Sequence, residues 1–129
     1  MTPAVRIARV EDAAAIRTIY VRADASRRGI ARRLYGSLLE VMRLQGINQA
    51  VGVITLPGTA SVALHESMGF SPAGVWRHAG FKLQRWWDVG VWQKELQPVV
   101  HPPPPVVPFA EMTRWPALRR LLADVPPAR

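Results

Sequence analysis

"VRADASRRGIARRLYGSLLEVMRLQGINQAVGVITL", residues Val21–Leu56, orders an extended start, a basic turn around one glycine, an amphipathic segment and an apolar run. In its middle, Ile30, Leu34, Leu38, Val41 and Met42 recur at helical spacing, while Arg32, Arg33, Ser37, Glu40 and Arg43 take the opposite face. That period predicts a helix with one buried stripe, and Gly46 stands where a left-handed C-terminal cap belongs. The run Ala50–Leu56 is continuous and rich in β-branched residues. Such a run predicts a strand covered on both faces and central in its sheet.

The basic turn supports two readings. Arg22, Arg27, Arg28, Arg32 and Arg33 fall within fourteen residues, Val21–Leu34. A charge run of this kind is commonly a solvated face. With Gly29 just ahead of the helix, the amides of Arg27 to Arg32 are also the donors of a helix N-terminus, a ready site for phosphate oxygens.

On the N-terminal side, Ala4–Val10 alternates as a short strand. The segment Glu11–Tyr20 reads as a helix with Glu11 and Asp12 in its first turn. On the C-terminal side, "PGTASVALHESMGF" predicts a short helix capped by Thr59 or Ser61 and ended at Gly69. The segments "AGVWRHAGFKL" and "RWWDVGVWQKEL" read as paired antiparallel strands. In the second, Trp87, Val89 and Val91 share one face, and Trp86, Trp92 and Leu96 the other. From Pro98 the composition turns to proline, compatible only with loop or polyproline conformation. "RWPALRRLLADV" can add a turn or two of amphipathic helix.

Composition bounds the function. The chain has 129 residues, 49% hydrophobic, enough for one compact domain. No apolar stretch approaches membrane-span length, and residues 1–15 lack a signal-peptide centre, so a cytoplasmic address is expected. The absence of cysteine excludes disulfides, thiolate zinc sites and a cysteine nucleophile. His65, His78 and His101 have no metal-ligand spacing, so no metal is expected. The formal charge of +8 suits an anionic partner.

Taken in order, "SRRGIARRLYGSLLEVMRLQGI", "AVGVITLP", "SVALHESMGF" and "GFKLQRWWDVGVWQKEL" resemble the GNAT N-acetyltransferase superfamily, within it the phosphinothricin acetyltransferase-like branch. "RIARVEDAAAIRTIY" is similar to that branch's opening strand and helix. The resemblance implies an α/β (α+β) fold with a mixed sheet flanked by helices, and acetyl-CoA as acetyl donor. It implicates Tyr20 and Val21 for the pantetheine arm. For the pyrophosphate it implicates Arg27, Arg28, Gly29, Ile30, Ala31 and Arg32. The family turn reads Gln or Arg, two residues, Gly, one residue, then Gly or Ala; here Ser26 takes the first place, while Gly29 and Ala31 fit. Gly58 replaces an asparagine that follows "LP" in the branch, and Trp87 replaces the histidine of its W-H-D-V-G segment.

The resemblance also implies an internal shortening. Family members carry a further helical region, a strand hairpin and a strand bearing a catalytic glutamate between the opening helix and the phosphate turn. Here "AAAIRTIY" runs directly into "VRADASRRG". The chemistry needs a base to free the amine, donors to polarise the carbonyl and an acid for the thiolate. Asp88 is a candidate for meeting a substrate ammonium, with an ion pair to Arg85 or Lys94 as its structural alternative. His65 is a weaker catalytic candidate, and packing or hydrogen bonding is its alternative. Trp76, Trp86, Trp87 and Trp92 can line an acceptor pocket or pack the core.

The expected organisation is a shortened acetyltransferase domain over residues 1–97 and a proline-rich, largely disordered tail over 98–129. The functional expectation is N-acetyl transfer to a small amino acid-like amine. A non-catalytic remnant that binds CoA or a partner is the alternative, and a nonspecific nucleic-acid binder a third reading. An exposed strand edge and the tryptophan-rich end suit a homodimer.

Overall fold

A computed structural model of the chain describes residues 29–123. The strand and helix expected over residues 4–20 lie outside them. The elements run α1 Ile30–Leu44, β1 Gln49–Thr55, α2 Thr59–Ser67, β2 Ser71–Lys82, β3 Arg85–Glu95, α3 Phe109–Met112 and α4 Pro116–Ala123. They fall into two compact units, one holding residues 29–41 and 109–123, the other Met42–Pro108.

Helix α1 follows its apolar period and buries Leu39 and Val41. Burial also pushes the Tyr35 hydroxyl above the ordinary phenol range. Gly46, at φ +85°, closes the helix as expected, with the Gly46 amide donating to the Arg43 carbonyl and the Ile47 amide to Met42. Those two bonds satisfy carbonyls that a helix end leaves open.

The sheet has the order β1-β3-β2 and is antiparallel throughout, so the mixed sheet expected from the sequence is not found among the described residues. Among the described residues β1 lies at the edge of the sheet and pairs with β3, from Gln49 opposite Glu95 to Thr55 opposite Val89. Ala50, Gly52 and Ile54 are buried while Val51 and Val53 are exposed. An unbroken apolar run carries no record of which face is covered, so the two-sided reading did not separate exposed Val51 and Val53 from their buried neighbours.

Helix α2 starts at Gly58, not at a side-chain cap from Thr59 or Ser61. Gly58 is the N-cap at φ 39°, and no side chain caps the first amides. A Cβ there would meet the Thr55 carbonyl and the Ile54 side chain, so this left-handed N-cap position favours glycine. Its end at Gly69 is as expected, with Gly69 donating to Glu66 and Phe70 to His65.

Strands β2 and β3 form the expected hairpin, turning at Leu83 and Gln84, both with positive φ. On β3, Trp92 turns toward α2, where its indole N–H donates to Glu66 Oε1 at 3.1 Å. Trp87, Val89 and Val91 take the other face, as the alternation predicts. Segment 98–107 is tied to the turn after α1 by two hydrogen bonds: the Val107 amide donates to the Gln45 carbonyl (2.8 Å), and Gln45 Nε2 donates to the Val107 carbonyl (3.0 Å). Gln97 Nε2 donates to the Ile47 carbonyl at 3.0 Å. In the other unit, α3 buries Met112 and α4 buries Leu118, and Pro116 occupies the first position of α4, where its missing N–H costs nothing.

Candidate functional site

Two features carry the sequence candidates, one in each unit. The first is the start of α1. Gly29 is exposed at φ +72°, a conformation glycine adopts freely, and nothing lies within 4 Å of the place a Cβ would take. The helical ladder begins with the Arg33 amide donating to the Gly29 carbonyl at 3.1 Å. The amides of Ile30 and Ala31 precede that bond and have no acceptor within the helix. No acidic residue stands in the first turn, and Arg32 and Arg33 flank it. Backbone donors, open space over a glycine and positive charge fit the phosphates of a nucleotide-type group. Tyr20, Val21, Arg27 and Arg28 lie outside the described residues.

The second feature is an open cleft of about 170 Å³ lined by Thr55, Ala79, Gly80, Phe81, Lys82, Trp87 and Val89. It lies where β3 passes an irregularity in β2. Trp76 is opposite Val89 and Gly80 opposite Trp87, so Arg77, His78 and Ala79 face only Asp88 across the ladder. Trp87 forms part of the cleft wall, and two interactions hold it. Its indole N–H donates to the Lys82 carbonyl at 2.8 Å, and the Arg85 guanidinium lies 3.5 Å from its ring centroid. An indole N–H only donates, so this side chain takes up no proton.

Asp88 and His65 are placed differently from each other. Asp88 Oδ1 accepts the His78 amide at 2.9 Å, and its carbonyl accepts the Leu56 amide at 2.9 Å. No ion pair joins it to Arg85 or Lys94 among the described residues. His65 is buried in α2; its Nδ1–H donates to the Ser61 carbonyl at 2.7 Å, and its ring meets Phe70 edge-on at 5.1 Å. Neither lines the cleft. Of the four tryptophans considered, only Trp87 does so. Trp92 packs beneath the sheet, and Trp76 and Trp86 are exposed. Thr55, Ala79, Gly80, Phe81, Lys82 and Val89 went unrecognised from sequence. The only signal for them was the break in strand alternation at "RHAG".

The family described as an Acetyltransferase (GNAT) domain matches residues 3–91, and the chain belongs to it. Within that family it is phosphinothricin N-acetyltransferase-like. It is 41% identical over 95 residues to the phosphinothricin N-acetyltransferase of Streptomyces viridochromogenes, covering 74% of this chain and 51% of that protein. The chain therefore spans about half the length of the curated relatives it matches. An N-acetyltransferase from Staphylococcus aureus aligns with TM-score 0.61 at 31% identity, over 62% of this chain and 48% of that one. A phosphinothricin acetyltransferase from Sinorhizobium meliloti, solved in complex with acetyl-CoA, aligns with TM-score 0.58 at 32% identity, over 60% and 42% respectively.

Proposed function

We propose that this chain transfers the acetyl group of acetyl-CoA to the primary amine of a small amino acid-like acceptor. The start of α1 is the observation that carries the reading: an open left-handed glycine followed by the first amides of a helix, which have no acceptor within it, fits a pyrophosphate. In this reading Gly29, Ile30, Ala31 and Arg32 hold the pyrophosphate, together with Arg27 and Arg28, and Tyr20 and Val21 flank the pantetheine arm. Acetyl-CoA, when bound, supplies an activated thioester. The cleft beside Trp87 takes the acceptor in this reading. The acetyltransferase unit is read over residues 1–97, a GNAT-type fold shortened by its central hairpin region, with 98–129 as an extension.

A second reading, a CoA-binding chain without turnover, has two supports. Trp87 offers no proton acceptor, and the region that carries the family's glutamate has no counterpart between Tyr20 and Val21. Losing a general base costs roughly a hundred- to ten-thousandfold in rate.

Calorimetric titration with acetyl-CoA at low and moderate salt tests the shared premise. Saturable one-site binding at both salts is expected, because close backbone contacts are screened less than distant charges. Gly29→Ala, forced into a left-handed conformation that costs about 1–2 kcal/mol, is expected to weaken it. Heat that vanishes with salt would reject both readings. An acetylation assay with phosphinothricin as acceptor then separates them, since the second predicts binding without product.

A further inference from the structure

We infer that Asp88 is a positioning residue for the acceptor cleft, acting through the backbone of β2 and not through its charge on substrate. The inference rests on the cleft being the acceptor site, as read above. Between Trp76 and Gly80 the β2–β3 ladder breaks, and three residues, Arg77, His78 and Ala79, stand against Asp88 alone. His78, at the middle of this excursion, has φ 49°, a left-handed conformation that costs a non-glycine residue free energy. An excursion with such a residue holds its shape only if other bonds fix it. Here the His78 amide donates to Asp88 Oδ1 at 2.9 Å, a charge-assisted hydrogen bond.

The two residues that follow His78, Ala79 and Gly80, are cleft wall. The carboxylate is thus one residue removed from the surface it shapes. Asp88 is anchored in turn. Its carbonyl accepts the Leu56 amide, next to Thr55, which lines the cleft from β1. Trp87 and Val89, its neighbours in sequence, line the third side. One residue therefore ties together the backbones of all three strands around the cleft, while its own side chain is not among the lining groups. Alternation explains this: Trp87 and Val89 point into the cleft, so Asp88 points from the opposite face of β3.

A backbone acceptor and a charged substrate contact respond differently to substitution. Asparagine keeps an oxygen that accepts the His78 amide and loses the charge, whereas alanine loses both. The test uses the full chain, labelled with 15N, as wild type, Asp88→Asn and Asp88→Ala, with phosphinothricin as probe. The Gly80 amide and Trp87 indole N–H signals report the cleft, and acetyl-CoA affinity serves as a control. Phosphinothricin is expected to shift both signals in wild type and in Asp88→Asn with similar affinity. In Asp88→Ala the affinity falls about tenfold, the fold-change of one hydrogen bond to a charged group. Hydrogen exchange at Gly80 quickens in Asp88→Ala but not in Asp88→Asn, and acetyl-CoA affinity stays unchanged in both.

Equal loss of phosphinothricin affinity in the two variants would overturn the inference in favour of a charge contact. Unchanged affinity in Asp88→Ala would overturn it outright while leaving the acceptor reading intact. If phosphinothricin moves neither signal in wild type, the acceptor reading fails and the inference fails with it. Should Asp88→Ala not fold, Asp88→Asn decides alone: retained affinity supports the backbone role and a tenfold loss rejects it.

Discussion

Gly52 shows how closely the α2 face of the sheet is fitted. A Cβ added there would lie 2.6 Å from His65 Cδ2 and 2.9 Å from Nε2. The imidazole has no easy retreat, since its Nδ1–H is bonded to the Ser61 carbonyl and its ring abuts Phe70. Gly52→Ala is therefore expected to destabilise the protein by about 1–3 kcal/mol, the usual range for overpacking a fitted core. Urea unfolding of Gly52→Ala, His65→Ala and the double variant measures it. If the clash is the cause, the double variant loses less than the sum of the singles, because removing the ring makes room for the methyl. Strict additivity would mean that Gly52 matters for another reason. The sequence offered His65 two roles, and its position against Gly52 was invisible in it, since that pairing is a contact between a strand and a helix set by register.

At the level of elements, the β2–β3 turn departs from its best chemistry. Leu83 and Gln84 have φ 54° and 59°, the signature of a two-residue turn that favours Asn-Gly. Left-handed non-glycine residues cost on the order of 1–3 kcal/mol each. Leu83→Asn with Gln84→Gly is expected to raise stability by about 1 kcal/mol or more, read as a higher thermal midpoint, and to remove an exposed leucine. A lower midpoint would show that the leucine side chain stabilises the hairpin by more than the turn strains it. The hairpin itself was legible because both segments read as extended and the second alternates. Helix α1 was legible from its period and from Gly46. The placement of β1 was not, because Val51 and Val53 look alike whether covered or exposed. The cleft was least legible: the excursion Arg77–Ala79 depends on Asp88 across the ladder, and one strand's sequence does not reveal its partner's register.

Across the whole molecule, the chain beyond the family match is built into both units. The match ends at residue 91, yet segment 98–107 returns to Gln45 within one unit, and Met112 and Leu118 are fully buried in the other. That second unit also holds residues 29–41, with the Gly29 turn and the first part of α1. Because they share that unit, order at the Gly29 turn, proposed above to hold acetyl-CoA, is expected to depend on α3 and α4. Met112→Ala is expected to destabilise by about 2–5 kcal/mol, the cost of emptying a buried methionine position. It should also weaken acetyl-CoA binding, because a donor set of backbone amides works only while the helix start is held in place. Unfolding in urea and calorimetric titration on the same preparation measure the two effects. Loss of stability with undiminished acetyl-CoA affinity would show that the helix start holds its shape without the C-terminal helices, and that the extension serves stability alone.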